Sequence, residues 1–375
     1  MVKILTLLLV LSLSGWMKPG TASFETKTNA EPITIDGPYV FYRGDSIIVN
    51  YIDSADGLLS LRSKQYHISQ KDQVQLVVNS DEAGKTFTVK LQPKLIVAKV
   101  NYEKPKKMLV ISDIEGNFSA FRKLLQGNGV IDSSYNWIFG NGHLALVGDF
   151  IDRGTMVTEL LWLIYNLEKQ AEASGGKLHF ILGNHEVMNM NGDFHYVHPR
   201  YMAHADQMKL PYLDFFSAKA ELGRWVASKN IAERIGNILL AHGGFSAVMN
   251  HIEIPLGAIS DTARLYYTDT GMAYPSPYSG LIFSDDGPLW YRGYYYGEQR
   301  ASQKQVDSTL FFYNTRYIIT GHTVVSKQIV SIYGGKVINT DVPHKLGFSE
   351  ALLFEGNKMY RVNAGAEKKE VQVLQ

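Results

Sequence analysis

Between residues 31 and 100 the apolar positions fall in short, nearly alternating runs. They are Tyr39-Val40-Phe41-Tyr42, Ser46-Ile47-Ile48-Val49-Asn50-Tyr51, Val74-Gln75-Leu76-Val77-Val78 and Phe87-Thr88-Val89-Lys90-Leu91. Gly and Asp punctuate them, which predicts a small β-rich module. The pattern changes after Lys104-Pro105-Lys106-Lys107. Met108-Leu109-Val110-Ile111, Leu144-Ala145-Leu146-Val147 and Leu178-His179-Phe180-Ile181-Leu182 read as buried strands, and residues 118–125 and 156–171 carry helical spacing between them. Strands alternating with helices predict βαβ units and a mostly parallel sheet. Residues 195–216, rich in His, Tyr and Met, predict a helical insertion. Ile238-Leu239-Leu240-Ala241 and Tyr317-Ile318-Ile319-Thr320 predict strands of a second sheet.

The N-terminus has its own pattern. Lys3 precedes an apolar run over residues 4–13, and small residues follow at Gly20-Thr21-Ala22-Ser23. That arrangement predicts a signal peptide over residues 1–23 and a periplasmic or secreted mature chain, because the apolar run is too short to span a bilayer. No later run predicts a membrane span. The expected organisation is a signal peptide (1–23), a β-rich accessory module (24–104) and a catalytic domain (105–375).

Composition removes several classes. With 37 Lys and Arg against 36 Asp and Glu, no basic field points to nucleic acid, and phosphate selectivity must be local. The absence of cysteine excludes a thiolate nucleophile and disulfides.

The candidate chemistry lies in five segments: Ser112-Asp113-Ile114-Glu115-Gly116-Asn117, Gly148-Asp149-Phe150-Ile151-Asp152-Arg153-Gly154, Gly183-Asn184-His185-Glu186, His242-Gly243-Gly244 and Gly321-His322-Thr323. Each follows a strand-like run, and ligands gather at the carboxyl ends of strands in such sheets. Carboxylate, imidazole and amide oxygen together suit two divalent ions held close together. Such a centre implies attack of a metal-bound hydroxide on a phosphorus ester.

These segments resemble those of calcineurin-like metallophosphoesterases of the phosphoprotein phosphatase type. Gly148 to Gly154 matches the family's Gly-Asp-x-x-Asp-Arg-Gly, and Gly183 to Glu186 matches its Gly-Asn-His-Glu. His242-Gly243-Gly244 and Gly321-His322 match the last two blocks. The resemblance covers roughly residues 105 to 350, and it implies two mixed β-sheets sandwiched between helices. The first block departs from the family, because Glu115 stands where the family's Asp-x-His-Gly has a metal-binding histidine. A carboxylate there favours Mn, Mg or Fe over Zn.

The resemblance implies roles residue by residue. Asp113, Glu115 and Asp149 would hold the first metal, and Asp149, Asn184, His242 and His322 the second. His185 would protonate the leaving oxygen, with Asp152 orienting it. Arg153 would clamp the phosphate. Arg292, in Trp290-Tyr291-Arg292, resembles the second clamp of the bacterial, Shewanella-type branch. Glu115 also reads as a second acceptor behind a ligand, Arg153 as an internal ion-pair partner, and Arg292 as a stacked arginine. The expected activity is a metal-dependent phosphoric monoester hydrolase acting on a phosphopeptide or small phosphomonoester, with two divalent ions and Mn favoured. Phosphodiester or dinucleoside polyphosphate hydrolysis, and a silent phosphate-binding scaffold, are the alternatives.

Overall fold

The computed structural model describes residues 35–55, 58–298 and 300–374. The expected signal peptide lies outside the described residues.

Two sheets carry the chain. The six-stranded sheet runs Lys368–Glu370, Lys358–Val362, Ala351–Glu355, Lys107–Ile111, His143–Val147, Lys177–Ile181. Its last three strands are parallel, as βαβ units require, and the C-terminal strands join antiparallel. The sheet is therefore mixed where the alternation of strands and helices predicted a mostly parallel one. The seven-stranded sheet runs Gln372–Val373, Val330–Ile332, Val337–Asn339, Tyr317–Thr320, Ile238–Ala241, Ala232–Ile235, Asn101–Tyr102.

The two-residue side-chain period decides which layer each strand residue enters. Met108, Val110, Ala145, Val147 and Ile181 of one sheet pack with Ile238, Leu240, Ile319 and Ile338 of the other, forming a core between the sheets. Leu109, Ile111, Leu144, Leu146, Leu178 and Phe180 face the opposite way, into the larger core with the helices Phe118–Gly127 and Val157–Ala173. The first helix starts where Asn117 Oδ1 accepts from Ala120 N at 3.1 Å, satisfying a free N–H of its first turn.

The N-terminal strands form a three-stranded antiparallel sheet, Asp36–Arg43, Ser46–Ala55 and Leu58–His67, and a hairpin, Gln75–Asn79 with Thr86–Lys90. They pack on the Val157–Ala173 helix: Trp162 Nε1 donates to Pro38 O at 2.7 Å, and Gln92 N to Tyr165 OH at 2.6 Å. The insertion around residues 195–216 forms the helix Pro199–Met208 and the short turn Tyr212–Phe216.

Candidate active site

All five motif segments lie at the carboxyl ends of strands of the two sheets. The strands end at Ile111, Val147, Ile181, Ala241 and Thr320, and each motif segment begins one or two positions later. The chain then turns sharply. Asp113, Glu115, Asp149, Asp152, Arg153 and His322 all hold positive φ, between 49° and 72°. Backbone of this kind costs on the order of 1–3 kcal/mol per residue and persists only where its surroundings force it. Here the loops are zipped together. Asp113 N donates to Gly148 O and Glu115 N to Asp149 O, both at 2.9 Å, and Gly116 N to Phe150 O at 3.0 Å. The left-handed turns also end the strand period after Ile111.

Glycine lets the segments approach each other. A Cβ on Gly183 would overlap Asp149 Oδ1, and one on Gly321 would overlap Asp113 Oδ2. Glu186 supplies the other constraint. Its buried carboxylate accepts from Gly183 N (2.8 Å), Asp149 N (2.9 Å), Phe150 N (2.7 Å) and Ile151 N (3.2 Å). One side chain thus ties the second and third motif segments together.

Asp149, His242 and His322 are buried and offer ligand atoms that lie within 4.8 Å of one another. His242 Nε2 lies 3.0 Å from Asp149 Oδ2 and 3.2 Å from Asn184 Oδ1. Its other nitrogen, Nδ1, is 2.8 Å from Val147 O, a contact that fixes the ring with Nε2 inward. His322 Nε2 is 3.1 Å from Trp290 O, which leaves Nδ1 for the pocket. Asp113 accepts from His322 N at 3.1 and 3.2 Å.

The electrostatics fit a cation. Burial, then the nearby Asp341 and Asp149, pushes the Asp113 carboxyl well above its usual range. Burial also acts to raise Asp149, but His242 and His185 outweigh it and hold that carboxyl below the carboxylate range. Burial and His242 push His322 well below the ordinary imidazole value, leaving a neutral imidazole. Clustered buried carboxylates beside neutral imidazole suit divalent ions of the Mn, Fe or Zn kind.

His185 stands next to this group. Its Nδ1 is 2.7 Å from Asp152 Oδ2, and its Nε2 is 3.7 Å from Asp149 Oδ2. Burial opposes its charge, but Asp149 and the Asp152 hydrogen bond raise its pKa. Asp113, Asp149, Asn184, His185, Arg153, Arg292 and His322 all line one open cleft of about 790 Å³. Glu115 lines it too, and its carboxylate meets the Arg153 guanidinium. Arg153 also lies over the Tyr196 ring, 4.9 Å from its centroid. Arg292 Nη1 donates to His322 O at 2.6 Å and to Thr323 Oγ1 at 3.1 Å.

The family model for calcineurin-like phosphoesterases matches residues 106–326. The chain belongs to the calcineurin-like phosphoesterase family. Its fold matches the cold-active protein-tyrosine phosphatase of a psychrophilic Shewanella species with a TM-score of 0.81 and 31% identity, covering 90% of this chain and 100% of that one. It is 25% identical over 303 residues to Shewanella-like protein phosphatase 2 of Arabidopsis thaliana, covering 68% of this chain and 76% of the relative. It is 26% identical over 226 residues to Shewanella-like protein phosphatase 1 of Plasmodium berghei, covering 58% and 61%. The chain is a phosphatase of this family, whose members use divalent metals.

Within this phosphoesterase the structure adds residues that the motifs did not mark. Asn189 Nδ2 donates to Asp152 Oδ1 at 2.8 Å and to His185 O at 3.0 Å, and Tyr212 OH donates to Asn189 Oδ1 at 2.9 Å. Asn189 lies four residues beyond His185 on the helix Asn184–Asn191, so helical spacing carried a signal for it. Tyr212 comes from the insertion and had no such signal. Tyr196 is 44% exposed, and its ring centroid is 4.9 Å from that of His185. Asp341 enters the cleft just after the strand Val337–Asn339.

Proposed function

We propose that the chain is a phosphoric monoester hydrolase acting on phosphorylated protein side chains through two divalent ions, with aryl phosphates preferred. The observation that carries this reading is the His185–Asp152 pair beside Asp149. Asp149, Asn184, His242 and His322 would hold one ion, and Asp113 and Asp149 belong to the other. When bound, the ions supply an activated water and neutralise charge on the phosphoryl oxygens.

The chain's own groups do the rest. Asp152 holds His185 Nδ1, which keeps the other nitrogen, Nε2, as the proton donor toward the leaving oxygen. Arg153 and Arg292 bring two guanidiniums to the cleft. A monoester dianion uses both charges, whereas a diester carries only one. Glu115 orients Arg153 and leaves its remaining N–H groups for phosphate. Asn189 and Tyr212 keep Asp152 in place.

The exposed Tyr196 ring beside His185 favours an aromatic leaving group, since the atom attached to the leaving oxygen must pass it. The relative described as a protein-tyrosine phosphatase supports the same preference. We extend the proposal to export of the mature chain, on the pattern of residues 1–23. N-terminal sequencing of periplasmic and culture fractions checks it, and a retained Met1 in the cytosol contradicts it.

The test is turnover of the Mn-reconstituted enzyme on phosphotyrosine and phosphoserine peptides, para-nitrophenyl phosphate, its bis ester and a dinucleoside polyphosphate. Monoester turnover should dominate. Strong diester turnover without monoester turnover contradicts the reading.

A further inference from the structure

We propose that Asp341 is a ligand of the first metal position, supplying the third carboxylate that the sequence had assigned to Glu115. The inference rests on the two-ion reading above and adds a residue outside the five motif segments.

Backbone register places Asp341. The strand Val337–Asn339 runs parallel to Tyr317–Thr320 with Asn339 opposite Thr320. Asp341 therefore leaves its strand end level with His322, which leaves the neighbouring one. Thr340 pins this arrangement: its N–H and its hydroxyl both donate to Thr320 O at 2.8 Å, and the hydroxyl lies 3.0 Å from Ser112 Oγ. Ser112 immediately precedes Asp113. The loop is held from the other side as well, with Asn339 Oδ1 accepting from Asp341 N at 2.8 Å and Asn339 Nδ2 donating to Thr323 O at 2.7 Å.

The side chain itself lacks an occupation. Asp341 is only 6% exposed and lines the cleft with Asp113 and Asp149. Yet its carboxylate forms no hydrogen bond or ion pair among the described residues. A buried carboxylate without a partner is expensive. A divalent ion among the three carboxylates removes the desolvation penalty and the repulsion together. Glu115 meanwhile is engaged by Arg153, on the cleft side. An oxygen-only first position suits a hard ion, Mn or Mg, better than Zn.

The test uses the full chain, stripped with chelator and titrated with Mn by calorimetry, as wild type, Asp341→Asn and Glu115→Gln. Asp341→Asn should weaken one Mn equivalent by about 10–100-fold, and Glu115→Gln should weaken it less. The metal-free melting temperature of Asp341→Asn should equal or exceed that of the wild type, because a repelling charge is gone. The stabilisation by Mn should shrink. Unchanged Mn affinity in Asp341→Asn overturns the proposal, and so does a lower metal-free melting temperature, which marks a structural role. If the wild type binds one Mn, the two-ion reading fails, and Asp341 is judged on whether its variant weakens that single site.

Discussion

His185 Nδ1 lies 2.7 Å from Asp152 Oδ2, and Asp152 holds that position with φ of 72°. The strained backbone and the short contact belong together: the left-handed turn aims the carboxylate back at the ring. Asp152→Asn keeps the shape but removes the charge that favours protonated His185. The acid form of His185 drives leaving-group departure, so activity falls as pH rises through its pKa. Because Asp149 and Asp152 raise that pKa against burial, Asp152→Asn should move this alkaline limb to lower pH. A pH–kcat profile with a phosphopeptide reads the shift; an unmoved limb contradicts the role of Asp152.

Glu186 gathers four backbone N–H groups of two motif loops. Glu186→Gln keeps the shape but replaces one acceptor oxygen by a donor. The protein should lose about 1.5–3 kcal/mol of stability, read by chemical denaturation, and Mn affinity should fall with it. A loss confined to kcat would place Glu186 in the chemistry instead.

The fully packed glycines offer a sharper perturbation. At Gly183 a methyl group meets Asp149 Oδ1 directly. Gly183→Ala should displace that carboxylate, cost about 1–3 kcal/mol, and lower bound Mn measured by mass spectrometry. Full metal content in this variant would mean that Asp149 is free to move.

Much of this site was legible because it is local. Each segment sits just beyond an apolar strand, so strand, turn and ligand are written within ten residues, as in Leu144 to Gly154. The contact of Thr340 with Ser112 was not legible, since it joins the ends of strands in two different sheets, 228 residues apart in sequence. Hence the place of Asp341 in the cleft was missed, although it follows a strand as the motif segments do. The same holds for Tyr212, delivered by the insertion to Asn189. Glu115 was read from the residue it replaces; its contact with Arg153 depends on two left-handed turns that sequence spacing does not report. The strand Leu58–His67 went unread because its Leu-Arg-Ser-Lys-Gln stretch is largely polar and lies exposed.

The cleft also predicts an acid limb of stability. Burial pushes His344 down to about 4, and among the described residues its Nε2 has no hydrogen-bond partner. The unfolded chain binds this proton near pH 6.5, and the folded chain holds out until about 4. Stability from this group is complete above pH 6.5 and is lost as pH falls toward 4, by up to about 3 kcal/mol. Denaturation midpoints from pH 4 to 7 should show this loss, and His344→Gln should flatten it. An equally steep limb in the variant would assign it elsewhere.

Tyr196 sets a prediction on selectivity. Tyr196→Ala should raise KM for a phosphotyrosine peptide about 3–10-fold more than for a phosphoserine peptide, while Tyr196→Phe retains the wild-type ratio. Equal losses on both peptides would make the ring a support for Arg153 rather than a contact for the substrate.

The most direct measurement is His185→Asn on a series of aryl phosphates of rising leaving-group pKa, with metal content determined in parallel. The account predicts kcat lower by about 10²–10⁴-fold for poor leaving groups, a loss that shrinks for para-nitrophenyl phosphate, and unchanged metals. Loss of metal, or intact turnover on the poorest leaving groups, would contradict it.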